Sequence, residues 1–340
     1  MNLPTHSTTA RERILSLPRE PLFIADWTGV VMMHLEVDAK ALQAVTPFQL
    51  DLWNGRAFVS LVAFTLRGMH PRFGGRFAKC LFSPLATHQF LNVRTYVRHE
   101  GEPGIHFLAE WLDSWLAVQL GPRVFGLPYR LGRIEYQNDG QQGELRGRVV
   151  DLKTGAALVY RAGSETGVPN FAPCAAGSLD EWLMERYTAF NGAKGGARVP
   201  ASLVNQPTHE PGVWCPPFRV LGAGGHAKAC TPNGDPFSPA RQDSRRIGKE
   251  KCVNEARGDS RPTCRRRFFR VWHEPWPQVP VQVELADRSL LTRHWPFMGN
   301  AQLIGANLSP GVRGVWMGWP HGLVSPREPR TSSDSQAPCV

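Results

Sequence analysis

The sequence has no run of about eighteen apolar residues, so hydropathy excludes a transmembrane helix. Residues 1–19 also lack the apolar core of a signal peptide. The seven cysteines are scattered along the chain and do not have the regular spacing of a disulfide framework. From these absences we expect a cytoplasmic protein with no membrane partner.

Motifs that bind metal ions or activate nucleophiles are also missing. The chain contains no C-x-x-C, H-x-x-x-H, H-E-x-x-H or G-x-S-x-G pattern. Cys215, Cys230, Cys252 and Cys264 could bind zinc together with His226, but their wide spacing is not that of a zinc site. The segment GAGGHA, residues 222–227, follows no apolar strand and fits a loop better than a dinucleotide site. We therefore expect no metal and no cofactor.

Positive charge is concentrated in one segment. Residues 193–267 hold fourteen Lys and Arg against six Asp and Glu, which accounts for +8 of the formal net charge of +10. The segment is rich in Pro, Gly, Ser and Arg, a composition that buries too little apolar surface to offset its ordering entropy. We expect 193–265 to be a long disordered insertion in a hairpin loop, and not a surface for nucleic acid. The termini, 1–19 and 325–340, are expected to be flexible.

The rest of the chain has the pattern of a mainly β protein with a few short helices. Helices are predicted at Asp38–Val45, at Asp113–Leu120 with Gly121 as its end, and at Ser178–Tyr187 with a capping box. Short β-branched or aromatic segments between turn residues predict strands at Phe58–Leu66, Asn92–Val97, Ile105–Glu110, Leu145–Asp151, Ala156–Arg161, Val279–Leu285 and Gly314–Trp319.

Two motifs point to a known family. LNVRTYV at Leu91–Val97 is followed by VFGLPY at Val124–Tyr129, and this combination is fairly specific. Weaker matches lie at Asp26–His34, Leu50–Leu66, Pro103–Phe107 and Trp272–Pro277. Together these segments resemble the YqjF-like family of uncharacterised proteins, which is similar to acetoacetate decarboxylases. The resemblance covers about residues 20–192 and 266–322, and it implies one discontinuous domain with an acetoacetate decarboxylase-like β-barrel and a central cavity.

The reactive residues of such enzymes are absent from the matching positions. GPRVFGLPYRLGRI, at Gly121–Ile134, resembles the decarboxylase segment G-R-E-x-x-G-[FY]-P-K-K-L, in which a lysine forms a Schiff base with a keto acid. Tyr129 and Arg130 stand at the positions of the two lysines, and neither side chain can form an imine. Asn92 matches a second segment, P-Y-N-E, but no acid follows it. The fold is therefore expected without the decarboxylase reaction.

The strand around Arg94 supplies the candidate ligand-binding residues. Because side chains alternate, Asn92, Arg94 and Tyr96 share one face. Composition alone would turn that face to solvent, whereas the resemblance turns it toward the cavity. Arg94 and Arg130 would clamp a carboxylate or phosphate, although a surface arginine is the alternative for Arg130. Asn92 would orient the ligand, while Tyr96 and Tyr129 would donate hydrogen bonds.

Histidines offer the general acid or base that an enzyme would need. The catalytic candidates are His34, at the end of DWTGVVMMH, His273, in WHEPWP, and Tyr129. The alternative for a lone histidine in a strand is a structural role. Lys79 and Lys153 remain as candidates for imine formation, although Lys153 lies in a hairpin turn, where lysines are usually solvated.

These observations leave two functional interpretations. In the first, the protein binds a small organic acid or another small molecule in its cavity. In the second, it is a lyase-like or hydrolase-like enzyme that uses His or Tyr acid–base chemistry on a small organic acid. A homo-oligomer is compatible with both. A third interpretation is that the insertion prevents folding and leaves no working site.

Overall fold

The computed structural model describes residues 6–138, 144–163, 170–192 and 266–323. The chain divides into a unit made of residues 1–197 and 264–340 and a second unit, 198–263, which lies outside the described residues. The interpretations placed on 193–265 and 325–340, including the zinc and dinucleotide alternatives, also fall outside them. The fold is therefore that of the first unit.

Within the described ranges, strands dominate the fold. They are β1 (Phe23–Val37), β2 (Gln49–Leu50), β3 (Ala57–Pro71), β4 (His88–His99), β5 (Glu102–Leu112), β6 (Tyr129–Gln137), β7 (Glu144–Asp151), β8 (Ala157–Gly163), β9 (Thr188–Asn191), β10 (Arg267–Trp272), β11 (Val279–Pro280), β12 (Gln282–Asp287), β13 (Gln302–Met317) and β14 (His321–Gly322). The helices are α1 (His6–Leu15), α2 (Ala39–Val45), α3 (Gly75–Phe82), α4 (Trp115–Phe125), α5 (Leu179–Met184) and α6 (Ser289–His294). The prediction of a mainly β fold with few short helices is confirmed.

Seven strands are hydrogen-bonded to one another in the order β5, β9, β10, β13, β1, β3 and β4. Because β4 also pairs with β5, the last strand of this series is bonded to the first. From β5, the sheet continues through β6, β7, β8 and β12. Side chains alternate between the two faces of each strand. On β1, Met33 and Leu35 belong to one apolar cluster and Val30 and Met32 to another. The second cluster borders the cavity described below.

The flanks of the predicted insertion pair as predicted. β9 and β10 are antiparallel neighbours, and Asn191 lies opposite Arg267 at the point where the described chain stops and resumes. The two strands therefore form the arms of one hairpin, while the domain boundary at 193–265 stays a prediction.

Two of the predicted helices begin at the predicted caps, although α5 ends at Met184 and not at the predicted Tyr187. Asp38 accepts a hydrogen bond from the backbone N–H of Ala41 over 2.7 Å at the start of α2. Ser178 accepts one from the N–H of Glu181 over 3.1 Å at the start of α5. Such caps satisfy N–H groups that have no partner within the helix.

The predicted end of α4 is wrong. The helix continues through Gly121 and Pro122, and it ends instead at Gly126, whose φ of 69° is left-handed. Side chains beyond Gly121 explain the continuation, because Val124 and Phe125 belong to the last turn and pack along the cavity. Contacts of these side chains along the cavity wall favour the extra turn, and Gly126 adopts the left-handed conformation at low cost.

The segment 1–19, which the sequence predicts to be flexible, contains α1. Ile14 of this helix is buried, and the Ser7 hydroxyl donates a hydrogen bond to the carbonyl oxygen of His273 over 2.7 Å. Among the described residues, no helix is both long and apolar enough to cross a membrane.

Candidate functional site

A cavity of about 250 Å³ lies against β1, β3, β4 and β5 and beneath α3 and α4. Most of the side chains that line it are apolar, and many are aromatic, among them Trp27, Phe64, Phe90, Phe125 and Trp276. An engineered apolar cavity of about 150 Å³ holds benzene. The volume therefore has room for a ligand larger than a single ring.

Arg94 brings a positive charge into this apolar space. It follows His88, Phe90 and Asn92 on the cavity-facing side of β4, and only 6% of its surface is exposed. One guanidinium nitrogen, Nη2, donates to the carbonyl oxygen of Leu183 over 3.2 Å, whereas Nε has no hydrogen-bond partner. Among the described residues, Arg94 forms no ion pair with an acid. Its charge is thus available to a ligand.

Three polar residues form a row across neighbouring strands. Asn92 of β4 lies opposite Glu110 of β5, which in turn lies beside Tyr129 of β6. All three side chains line the cavity. Burial raises the pKa of Glu110 well above its usual value, which favours the protonated carboxyl group, and a protonated carboxyl group can donate a hydrogen bond. Burial, followed by the nearby Glu110 charge, raises the pKa of Tyr129 in the same direction.

Sequence reasoning missed Glu110 because a bulge changes the alternation of β5. Strict alternation from Ile105 would continue through Phe107 to Ala109 and turn Glu110 to the other face. Pairing with β4 shifts between Phe107 and Ala109, since Arg94 lies opposite Phe107 while Val93 lies opposite Ala109. The extra residue places Glu110 on the same face as Phe107. An acid therefore lies next to Tyr129 although the second decarboxylase-like segment lacks one.

The structure does not bring Arg130 together with Arg94. Tyr129 and Arg130 are consecutive in β6, so their side chains point to opposite faces. Tyr129 lines the cavity, whereas the Arg130 guanidinium lies 5.7 Å from the centre of the Trp111 ring. Burial lowers the pKa of Arg130, and the Asp151 charge opposes that shift. The predicted clamp of two arginines is thus divided between two faces of the sheet.

His273 lines the cavity, as a catalytic histidine must. Its Nδ1 lies 2.8 Å from the carbonyl oxygen of Glu274. Because a carbonyl oxygen only accepts, Nδ1 carries the proton and Nε2 has a free lone pair. Burial, with a smaller contribution from the Arg94 charge, lowers the pKa of His273 to about 4. The imidazole is therefore neutral near pH 7.

His34 and Tyr96 do not belong to the cavity lining. His34 Nδ1 lies 2.7 Å from the Ser60 hydroxyl, and its Nε2 lies 3.1 Å from Asn307 Oδ1. Burial, followed by the Arg94 charge, lowers the pKa of His34 to about 3. Ser60 also contacts the Tyr96 hydroxyl over 2.5 Å, and Tyr96 donates to the same Leu183 carbonyl as Arg94 over 2.9 Å. Both residues thus belong to a hydrogen-bonded network behind Arg94.

Polar atoms without partners concentrate at this cavity. Of the eleven buried side-chain N and O atoms that lack a hydrogen-bond partner in the described part of the chain, seven belong to residues that line it. They are in Trp27, His88, Asn92, Arg94, Glu110, Arg186 and Trp276. Since buried polar groups are normally paired, this concentration indicates space for a polar ligand or water.

The two remaining lysine candidates lie away from the cavity. Lys79 is exposed on α3, and Lys153 is exposed in the turn between β7 and β8. Nor does any group of three or more His, Cys, Asp or Glu side chains in the described ranges have the arrangement of a metal site.

The strand arrangement is that of acetoacetate decarboxylase-like proteins. A solved acetoacetate decarboxylase structure is similar over 91% of this chain and 91% of its own, with a TM-score of 0.50 and 11% identity. An acetoacetate decarboxylase-like enzyme from Sphingomonas wittichii RW1 is similar over 90% of this chain and 93% of its own, with a TM-score of 0.49 and 15% identity. At such low identity the first likeness concerns the fold alone.

Sequence comparison defines the family. The model of DUF2071, "Uncharacterized conserved protein (COG2071)", matches residues 24–211, more than half of the chain, and the chain belongs to this family. The uncharacterized protein YqjF of Bacillus subtilis (strain 168) is 34% identical over 170 residues, or 48% of this chain. That match spans 65% of the relative, slightly less than two thirds of its length. The predicted resemblance to YqjF-like proteins is confirmed.

Proposed function

We propose that the protein binds a small organic anion in the cavity, with the anionic group on Arg94 and an apolar body among the aromatic side chains. The main support for this proposal is the buried, uncompensated charge of Arg94. Its guanidinium is buried, its Nε has no partner, and no acid pairs with it in the described part of the chain. A buried charge is costly unless an opposite charge compensates it. A carboxylate would supply that charge and accept hydrogen bonds from the guanidinium.

The polar row gives the ligand a second contact. Asn92 precedes Arg94 by two residues on β4, a separation of roughly 7 Å along a strand. Asn92 Oδ1 lacks a donor, while the protonated carboxyl group of Glu110 can donate. A hydroxyl group both donates and accepts, so it fits between these two side chains. The preferred ligand is therefore an organic acid with a hydroxyl group several bonds from its carboxylate.

Native mass spectrometry of the purified protein, followed by calorimetric titration with carboxylates and their neutral amides, tests the proposal. We expect carboxylates with an aryl or alkyl body to bind and the matching amides to bind at least tenfold more weakly, since charge-assisted contacts are about twice as strong as neutral ones. Arg94→Gln should abolish the preference for carboxylates. Arg130→Gln is the matched control and should retain it, because Arg130 faces away from the cavity.

The Arg130→Gln control also distinguishes binding by Arg94 alone from binding by a clamp of two arginines. Equal losses in Arg94→Gln and Arg130→Gln would contradict binding by Arg94 alone. A folded protein that binds carboxylates and amides equally well would contradict a role for charge.

Acid–base catalysis is a second candidate function. Glu110 is favoured as a proton donor by its burial, and Tyr129 and the free Nε2 of His273 line the same cavity. If the protein is an enzyme, Glu110→Gln should lower kcat at least a hundredfold while a bound carboxylate retains its affinity. Nuclear magnetic resonance spectra of each bound carboxylate, recorded with and without the protein, show whether the protein converts it to a product. Unchanged spectra for every bound carboxylate would leave binding as the function.

A further inference from the structure

Exposed apolar side chains gather at one place on the surface. In the described ranges, eleven large apolar residues are prominently exposed, and seven of them belong to α3, α4 or the turn before α3. We call these seven residues the mouth patch: Phe73, Phe77, Leu81, Trp115, Leu116, Leu120 and Val124. Phe77 is 79% exposed, Leu81 68% and Trp115 63%. A concentration of this kind marks an interaction surface.

The mouth patch borders the opening of the cavity. Leu120 and Val124 line the cavity, yet 40% and 41% of their surfaces are exposed. The cavity therefore reaches solvent at α4. On the other side, Phe82 of α3 lines the cavity, and Phe23 connects the two helices through ring contacts of 5.3 Å with Phe82 and 6.2 Å with Phe125. A ligand that enters here passes between α3 and α4.

Positive charge accompanies the apolar side chains. Residues 66–87 and 115–125 contain five Lys and Arg and no Asp or Glu. On α3, Arg76 and Lys79 are one turn apart, and Phe77 and Leu81 are one turn apart on another side. Arg76, Lys79 and Arg123 are exposed and form no ion pair among the described residues. Basic residues next to exposed Phe, Trp and Leu are typical of helices that lie at a membrane surface.

We infer that the mouth patch docks on the surface of an anionic phospholipid membrane and turns the opening of the cavity toward the lipid. Lipid headgroups would neutralise Arg76, Lys79 and Arg123, while Phe77 and Trp115 would enter the apolar boundary. A second copy of the chain fits less well, because a symmetric contact would bring together two patches that carry only positive charge. The sequence predicts no membrane partner because it lacks a membrane-spanning segment. Docking at the membrane surface does not require such a segment.

Sedimentation of the full-length protein with vesicles tests the inference. The vesicles contain either phosphatidylcholine alone or equimolar phosphatidylcholine and phosphatidylglycerol. We expect binding to the anionic vesicles only, with affinity that decreases as salt increases. Arg76→Glu should weaken binding roughly twenty-five-fold, because each basic residue near an anionic surface contributes roughly fivefold. Phe77→Ser should weaken it on the same vesicles at every salt concentration.

Matched variants distinguish the patch from general effects. Arg133→Glu changes the net charge as Arg76→Glu does, and Leu152→Ser removes an exposed apolar side chain as Phe77→Ser does. Both controls should bind like the unaltered protein. The inference would be overturned if the protein bound both vesicle types equally, or if the controls lost as much vesicle affinity as the patch variants. It would also be overturned if a protein that circular dichroism shows to be folded bound neither vesicle type. A dimer in solution that Phe77→Ser dissociates would also overturn it, because the patch would then be covered by a second copy.

Discussion

The ring of Tyr129 lies so close to Gly121 that a Cβ on this glycine would come within 2.1 Å of ring atom Cε2. Gly121 is in the interior of α4, where alanine would ordinarily stabilise the helix by about 0.5–1 kcal/mol. Here the close contact with Tyr129 reverses that expectation.

Gly121→Ala should therefore destabilise the protein by about 1–3 kcal/mol and weaken ligand binding, since the added methyl group displaces Tyr129 from the cavity wall. Chemical denaturation and calorimetric titration measure the two effects. Gly305→Ala is the control, because nothing lies within 4 Å of a Cβ at Gly305. A more stable Gly121→Ala protein would contradict the placement of Tyr129.

Glu110→Gln should change how stability depends on pH. Burial raises the folded-state pKa of Glu110 above the usual 4.5, so above about pH 4.5 the unfolded chain loses a proton that the folded protein keeps. The free energy of unfolding should then decrease with rising pH by about 1.4 kcal/mol per pH unit from this group alone, until the folded-state pKa is passed. Glu110→Gln removes this decrease and should be the more stable protein near neutral pH. Chemical denaturation at a series of pH values measures how the free energy of unfolding depends on pH. Glu135→Gln, which changes an exposed glutamate, is the control and should leave this dependence unchanged.

Arg94→Met should leave the ligand-free protein at least as stable as before, with a gain of up to about 3 kcal/mol, because it removes a buried charge that no acid compensates. The Leu183 carbonyl keeps its hydrogen bond from Tyr96 over 2.9 Å. Arg186→Met provides the contrast. Arg186 pairs with the buried Asp51 over 3.0 Å, and Asp51 also pairs with the half-exposed Arg98 over 3.0 Å. Because Arg98 still compensates the Asp51 charge, loss of Arg186 should destabilise the protein by about 1–3 kcal/mol. Thermal denaturation of both variants measures these changes in stability. A severe loss of stability in Arg94→Met would show that the charge of Arg94 is already compensated in the folded protein.

Tyr129→Lys should create a lysine that reacts with a keto acid. The substituted position faces the cavity beside Glu110, and burial lowers the pKa of an amine so that more of it is unprotonated. Incubation with acetoacetate and borohydride should add covalent mass to this variant. Arg130→Lys, whose side chain would point to the other face, should gain none. Equal modification of both variants would contradict the opposite orientation of the two positions.

How far the sequence predicts the site differs from residue to residue. Tyr129 is found through its motif, and the structure places its side chain at the cavity. Asn92 and Arg94 share a face by alternation, but alternation leaves open which face is interior. Arg130 shows the opposite limitation, since a motif marks a segment and not the direction of each side chain. His34 illustrates the same point, because it lies in a matched segment but behind the cavity.

The sequence is enough to predict the strand-rich class, the family, the caps at Asp38 and Ser178, and the lack of an imine-forming side chain at positions 129 and 130. These features are local, since they depend on alternation, on residues within one turn of a helix, or on the chemistry of a single side chain. Tertiary contacts, in contrast, place Glu110 beside Tyr129 and extend α4 past Gly121. A bulge between two strands and the ring contacts of Phe125 with Phe23 and Phe269 are responsible, and both depend on partners distant in sequence.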